Sequence, residues 1–433
     1  MDIAIDLLIL IGLLAFGLPV PLAFMAAVLF MVIIHPISFE FLLPVAFFKL
    51  NSLTLLAVPF FITAGGLMSS SGIAERLVRF ADSLVGRITG GLGAATVVAC
   101  AIFGAISGTA SSACAAIGSI MIPRMEEAGY PRPYATALVS TASVLGQLIP
   151  PSVPMILYAW VTWQSVAACF LSTVGPGILT IITYCTINFI MCRRMPSVTV
   201  RPFTGYREQA KEVLFAARHS TYGLLMPLII LGGIYGGFTT PTESAAVAVL
   251  YSLPVGFFIY KTLTVKNLAD TLVKTTTTTG VIILMFVFVV MLGRIYTMYN
   301  VPQRMVEFIT SISNDRIVIL AMVNVFLIII GMLMDDFSGT LLAAPLLLPL
   351  MSAIGVHPIH FAAIMGTNLG LGNVTPPTAP ILYLGGRVGG VSFDRMVKPA
   401  TTFMIFGSLP VVIITTYWPD LSLFLPRLIM GID

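Results

Sequence analysis

Apolar runs along the chain are too long and too unbroken for strands or for the half-buried helices of a water-soluble domain. Leu7 to Ile34 reads as one long helix with an early kink at Gly17-Leu18-Pro19. Phe39 to Met68 contains Pro44, Asn51 and Pro59, so it predicts two shorter pieces instead of one span. Ser69 to Arg87 carries mixed charge and predicts an interfacial or loop helix. Further runs cover Leu92 to Pro123, Val166 to Met191, Tyr222 to Tyr235, Ala245 to Ile259, Gly280 to Met291, Ile317 to Met334 and Thr402 to Tyr417. His360 to Gly385 is a run with its own interruption.

Two interruptions in the first half stand out. Gly104 to Ala113 is a string of small and hydroxylated residues set between apolar ones, and Gly146 to Pro154 includes Gln147, Ser152 and three prolines. In hydrocarbon an unpaired backbone group costs several kcal/mol, so a helix is interrupted only where protein or a watery cavity covers the break. The same arrangement returns in the second half. Pro150 and Pro376 are 226 positions apart, and Pro123/Pro349, Gly129/Gly355, Thr141/Thr367, Gly146/Gly372, Pro151/Pro377 and Pro154/Pro380 keep that separation. Upstream, Gly72 to Phe80 matches Asn300 to Phe308 at a slightly longer offset. The chain therefore reads as a duplicated unit. Discontinuous helices meeting between repeats are a recurrent design of secondary transporters, and the breaks mark the binding site.

Composition agrees: 58% of the 433 residues are hydrophobic and 9% charged, with a mean hydropathy of +1.02. Soluble domains carry about 25% charged residues, so a polytopic membrane protein of roughly ten to twelve hydrophobic elements is expected. The first apolar stretch lacks a basic flank and a small-residue cleavage site, so it is expected to remain as a span. The most polar segment, Cys192 to His219, holds Arg193, Arg194, Arg201, Arg207, Lys211 and Arg218 against Glu208 and Glu212, which places it on the cytoplasmic side. A net charge of +4 gives no reason to expect nucleic acid, and no Walker phosphate loop occurs. The five cysteines lie in or beside apolar stretches without metal-ligand spacing and read as buried thiols.

Ser107-Gly108-Thr109-Ala110-Ser111-Ser112, Ile149-Pro150-Pro151-Ser152-Val153-Pro154, Phe238-Thr239-Thr240-Pro241-Thr242-Glu243 and Gly372-Asn373-Val374-Thr375-Pro376-Pro377 together carry a family resemblance. The sequence resembles the large membrane subunit of tripartite ATP-independent periplasmic (TRAP) transporters over nearly its whole length, with local departures at Met334 to Gly339 and Pro376 to Pro380. The resemblance implies an all-α polytopic membrane protein of two inverted repeats, each with a re-entrant helical hairpin and a broken helix. The first repeat is expected over 1–192, with its hairpin at 97–125 and broken helix at 134–160. A cytoplasmic basic linker follows at 193–219, and then a second repeat over 220–433, with hairpin 328–351 and broken helix 358–386. It further implies an elevator-type, sodium-driven importer in the bacterial inner membrane. The partners would be a small four-helix membrane subunit and a periplasmic binding protein that delivers organic acids such as sialic acid or dicarboxylates. No cofactor is implied beyond sodium as coupling ion, and no enzymatic activity.

The expected ion and substrate residues follow the breaks. They are Ser107, Gly108, Thr109, Ser111 and Ser112 at the first hairpin, with Gly146, Gln147, Pro150 and Ser152 at the first broken helix. Asp335, Asp336, Ser338, Gly339 and Thr340 form the second hairpin set. Thr367, Asn368, Gly372, Asn373, Thr375, Pro376 and Thr378 form the second broken-helix set. Hydroxyls and freed carbonyls suit a hard monovalent cation, while small residues equally let helices approach closely. Asp335 and Asp336 are suited to ion binding or proton carriage, or else lie on a surface at the hairpin mouth. Glu243 reads as a helix cap. His357 and His360 are separated by Pro358 in a turn and make a poor metal pair. Arg294, Arg304 and Arg387 are candidates for a substrate carboxylate, with snorkelling as the alternative. Proton coupling, a passive channel and an intramembrane aspartyl protease are the competing functions; for the last, no partner acid is evident in a second span.

Overall fold

The computed structural model describes residues 2–35, 37–85, 90–198 and 206–432, and every element in them is helical. Arg87 and Arg201, with the centre of the basic connection, lie outside the described residues. Eight of the described helices are long and apolar enough to cross a membrane, or nine if the bent pair Arg132–Leu148 and Val153–Thr162 forms one span.

Several boundaries differ from the pattern, each for a local reason. Leu7 to Ile34 is two helices, Asp2–Ala15 and Val20–Ile34. Between them the Gly17 and Leu18 amides bond back to the Leu14 and Leu13 carbonyls (2.9 and 3.0 Å), a C-terminal stop that turns the expected kink into a break. The span expected at Tyr222 begins at Tyr206, so the second half of the expected linker is helix. Gly280 to Met291 is the middle of Val265–Met298, a 34-residue helix. Its polar first half stays helical because threonine hydroxyls are satisfied within it: Thr275, Thr277 and Thr278 bond to the carbonyls four residues earlier at 2.8–3.0 Å. The pattern also missed a terminal helix, Asp420–Met430.

The outer helices form one packed group. Val265–Met298 lies against Val20–Ile34, Phe39–Leu50 and Ala57–Ser70, and Tyr206–Tyr235 lies against Ile73–Val85 and Pro241–Pro254. Ile73–Val85 buries Ile73, Leu77, Val78 and Ala81 on one face and pairs Arg79 with Glu75 on the other, the amphipathic helix the charge pattern predicts. The inner group contains two helical pairs and two broken helices. Gly91–Ser107 and Ala110–Glu127 are joined by two residues and pack together, as do Arg316–Leu333 and Asp336–Ala353. Each broken helix packs its first half on its own hairpin and its second half on the second arm of the other hairpin.

The duplication is visible in the backbone. Gly72 and Asn300, matched from sequence, both enter their helices with positive φ (70° and 54°), as do Gly129 and Gly355 after the hairpins (88° and 72°). The Pro150-Pro151 and Pro376-Pro377 bonds are both cis. Each hairpin's first arm meets its broken helix through glycines. A Cβ on Gly104 would lie 2.5 Å from the Gly146 Cα, and one on Gly372 would lie 2.6 Å from the Gly331 Cα.

A methyl group at either contact must separate two backbones. Gly104→Ala and Gly372→Ala are each expected to cost about 1–3 kcal/mol, the usual penalty of overpacking. Gly280→Ala, with nothing within 4 Å of the new carbon, serves as the control. Thermal unfolding in detergent checks this: the first two midpoints fall and the third does not.

Candidate functional site

The first hairpin turns at Gly108, whose φ of 66° favours glycine and whose amide closes the first arm on the Gly104 carbonyl at 2.9 Å. Thr109 is extended, and its hydroxyl accepts from the Ser112 amide at 3.2 Å, capping the second arm. The Gly108 carbonyl accepts from the Val153 amide at 2.9 Å, which docks this tip onto the first helix break. The predicted serines separate here. Ser107 is fully buried and its hydroxyl has no hydrogen-bond partner, whereas Ser112 is half-buried and Ser111 exposed.

At the break itself, Leu145–Leu148 ends before Pro150, and the chain restarts as Val153–Thr162. Ser152 donates to the Gln147 carbonyl at 2.6 Å, so one of the carbonyls that the break releases is taken up locally. The Gln147 side chain donates to the Gly366 carbonyl at 3.2 Å, tying the two broken helices together, and its own oxygen is buried without a partner.

The second hairpin uses different residues for the same geometry. Asp335, 226 positions after Thr109, is the cap of Asp336–Ala353: its carboxylate accepts from the Ser338 amide at 3.2 Å and from the Ser338 hydroxyl. Asp336 is buried with one carboxylate oxygen unpartnered. The hairpin-mouth surface position is thereby corrected for Asp336, while Asp335 is half-buried: the first turn of the second arm packs into the protein, with Ser338, Gly339 and Thr340 all buried. The Thr340 hydroxyl bonds to the Asp336 carbonyl at 2.6 Å.

In the second break the Thr375 hydroxyl bonds back to the Leu371 carbonyl at 2.6 Å, and Pro376 precedes Thr378, whose hydroxyl oxygen is buried without a partner. The Asn373 amide, in the orientation that satisfies it, donates to the Gly331 and Met334 carbonyls at 3.2 and 3.0 Å. Thr367 bonds within its own helix, to the Ala363 carbonyl at 3.0 Å. Asn368 donates to Asn324 at 2.9 Å, and Thr416 also donates to that Asn324 oxygen at 3.1 Å. Asn324 was missed from sequence. Its signal was a lone amide inside the apolar run Arg316–Leu333.

The remaining candidates have local roles. Thr240 and Glu243 form a reciprocal capping box, with Thr240 N to Glu243 Oε2 at 2.7 Å, as the sequence suggested. His357 caps Pro358–Val374 through Nδ1 (3.1 Å from the Ile359 amide), and His360 Nε2 lies 2.7 Å from the Thr415 carbonyl. Among the described residues no three His, Cys, Asp or Glu side chains group as metal ligands. Four of the five cysteines are buried and all are free. Arg304 lies on the helix after Asn300 and Arg387 borders a cavity with Tyr383 and Phe393, away from the breaks.

Two hairpin tips docked on two helix breaks define a membrane transport fold. It resembles the YdaH transporter of Alcanivorax borkumensis (TM-score 0.55, 12% identity, 82% of this chain and 84% of that one). It also resembles MtrF of Neisseria gonorrhoeae, from a class of antimetabolite efflux pumps (TM-score 0.56, 12% identity, 86% and 82%). At such identity the likeness is one of fold. Sequence narrows it: the family described as "Tripartite ATP-independent periplasmic transporter, DctM component" matches residues 7–421, and the chain belongs to that family. The sialic acid TRAP transporter large permease protein SiaM of Vibrio cholerae is 34% identical over 422 residues, covering 97% of both chains. The C4-dicarboxylate TRAP transporter large permease protein DctM of the same organism is 35% identical over 100% of this chain and 99% of its own. The isethionate TRAP transporter permease protein DctMQ of Oleidesulfovibrio alaskensis is 33% identical, the match covering 94% of this chain and 64% of that longer one.

The capping geometry separates structural from chemical roles for Asp335. Asp335→Asn and Asp335→Ser keep an N-cap acceptor, while Asp335→Ala removes it at a cost of about 1 kcal/mol. Unfolding midpoints near wild type for the first two, and lowered for alanine, are the expected result. Thr109→Ala behaves like Asp335→Ala.

Proposed function

We propose that this chain is the transport subunit of a sodium-coupled importer of organic acids in the bacterial inner membrane. Its partners are a small four-helix membrane subunit and a periplasmic binding protein. The observation that supports this reading is a set of buried, unpartnered oxygens on the hairpins and broken helices: Ser107, Gln147, Asp336, Asn368 and Thr378 each leave one. A buried polar atom without a partner costs about 1–3 kcal/mol, and such atoms in native proteins are met by an ordered water, an ion or a ligand. Most of these are neutral oxygens, a donor set that fits a hard monovalent cation. Ser107 with the first break and Asn368 and Thr378 with the second would hold it, together with carbonyls that the breaks free. Those oxygens would coordinate the ion and so gain the partner they lack. The two hairpins and two broken helices form the moving body of an elevator against the outer helices, the two halves being inverted repeats. Family membership and the acids named for the Vibrio cholerae relatives support the substrate class.

Asp336 supports a second reading, proton coupling, because it adds a buried carboxylate oxygen without a partner to the same region. Uptake in proteoliposomes with both partners present, against sodium and pH gradients imposed separately, decides between them. Ser107→Ala and Thr378→Ala should each raise the sodium concentration for half-maximal uptake roughly 5- to 150-fold, the equivalent of about 1–3 kcal/mol. Uptake that ignores sodium, follows protons and is lost in Asp336→Asn overturns the sodium reading. Concentrative uptake by the lone chain overturns the partner requirement.

A further inference from the structure

A cavity of about 330 Å³ lies away from both breaks, between the outer helices and the inner group. Phe39–Leu50 and Val265–Met298 form one wall; Trp160 of the first broken helix and Leu341 and Pro345 of the second hairpin form the other. Its walls are mostly apolar, with Thr297 the one neutral hydroxyl and two cations, Lys49 and Arg294. Neither forms an ion pair with a described acid, and no Asp or Glu lines the cavity. Each is steered by aromatic faces. Lys49 Nζ lies 5.7 and 5.6 Å from the Trp160 and Trp163 rings, and Arg294 Cζ lies 5.6 Å from Phe41. A second cavity of about 380 Å³ shares Lys49 and Trp160 and runs to Trp163, Gln164 and Val166.

The location gives the cavity a side. Val166–Cys192 is a 27-residue candidate span, and a helix of that length covers about 40 Å, enough to cross a bilayer. Its Cys192 end runs into the basic connection, which by its charge faces the cytoplasm, so its Val166 end faces the other way. With it goes the second cavity, which Val166 lines and which shares Lys49 and Trp160 with the first. Two cations with no ion pair among the described residues, on one mostly apolar recess, raise the local concentration of anions. The volume falls in the range of small-ligand sites, about 300–1,000 Å³. A lysine or arginine whose only role is snorkelling needs neither a concave wall nor a second cation across it.

We propose that Lys49 and Arg294 form a carboxylate-receiving vestibule on the face opposite the basic connection, which holds the organic acid before it reaches the hairpin tips. This rests on the transporter reading above and adds to it a second, outer anion site at the boundary between moving and fixed parts. The occupant is the soluble acid, recognised through its carboxylate. An acidic lipid headgroup offers the same charge, and the test tells the two apart.

A single cysteine at Thr297, which lines the cavity, is placed on a background lacking the five native thiols. It is labelled in phosphatidylcholine proteoliposomes containing the small subunit, with sulfonatoethyl or trimethylammonium-ethyl methanethiosulfonate. Each rate is divided by that of the reagent with free mercaptoethanol. The anionic reagent should be favoured about tenfold at low salt, falling toward parity in Lys49→Met/Arg294→Met and persisting in Arg294→Lys. Succinate or N-acetylneuraminate at millimolar concentration should slow the anionic label in the charged protein only. No anion preference, or a preference indifferent to both substitutions, overturns the vestibule. So does a preference that phosphatidylglycerol abolishes and neither acid affects, which marks a lipid site. Labelling needs no turnover: charge-dependent protection without wild-type uptake would sink the transport reading alone, and uptake without charge preference would sink the vestibule alone. Should the cysteine-free protein not fold, uptake by the native-cysteine Arg294→Met protein replaces labelling. A roughly tenfold or larger rise in KM, restored by Arg294→Lys, is then expected, and an unchanged KM overturns the proposal.

Discussion

Everything in this fold depends on satisfying backbone groups where helices stop inside the apolar part of the protein. Hydrocarbon offers no hydrogen bonds, so each interrupted helix must find partners within the protein. The first hairpin and the first break answer one another: the Gly108 carbonyl receives the Val153 amide, and Ser152 covers the Gln147 carbonyl. Such close exchange requires backbones to touch, which is why glycine occupies Gly104 and Gly146 and, on the other side, Gly331 and Gly372. The small residues of the breaks therefore serve packing as well as chemistry. Of the two readings offered by the sequence, the close packing is what the backbone contacts carry. Glycines make the contact, and Ser107 supplies an unpartnered oxygen beside it.

Capping explains how two repeats with different residues keep one geometry. Thr109 and Asp335 stand 226 positions apart, and each accepts from the amide three residues on, Ser112 and Ser338. A hydroxyl and a carboxylate perform the same capping task, but they leave the site with different charge. The second half carries two acids where the first carries Thr109 and Ala110. Asp335 spends one carboxylate oxygen on the cap, accepting both the Ser338 amide and hydroxyl there, whereas Asp336 keeps one oxygen buried without a partner.

Much of this was legible in the chain. The offset of 226, the prolines and the hydroxyl runs pointed to both hairpin turns and both breaks, because proline and glycine act locally and read locally, but the hairpin arms begin earlier than the expected 97 and 328, at Gly91 and Arg316. Glu243 was legible for the same reason: the capping box is a four-residue interaction. Legibility failed where distant residues decide. Asn324 acquires its role from Asn368 and Thr416, 44 and 92 positions away, and nothing in its own helix announces them. Helix lengths failed where polar residues satisfied themselves, as in the threonine-rich start of Val265–Met298, which hydropathy alone reads as loop. Ser111 and Ser112 were grouped with Ser107 by composition, yet a helix turns successive side chains about 100° apart, so only some can face the break.

Lys49 and Arg294 show the same division between local and distant information. Separately each is a single cation near a helix end, for which snorkelling suffices as an explanation. They lie 245 positions apart in the chain, and only the fold sets them on one recess with Trp160 between the outer helices and the inner group. The breaks, by contrast, hold mostly neutral oxygens. A solute that bears a carboxylate and travels with a cation needs both environments, because a buried negative charge is costly unless an opposite charge accompanies it. The chain separates them in space: cations at the rim where an acid would arrive alone, neutral oxygens at the centre where a bound cation can supply the charge. With the proposed cation site and vestibule in place, coupling would follow from electrostatics. The acid would leave the rim for the interior at low cost only once the central oxygens had gathered a cation to meet it.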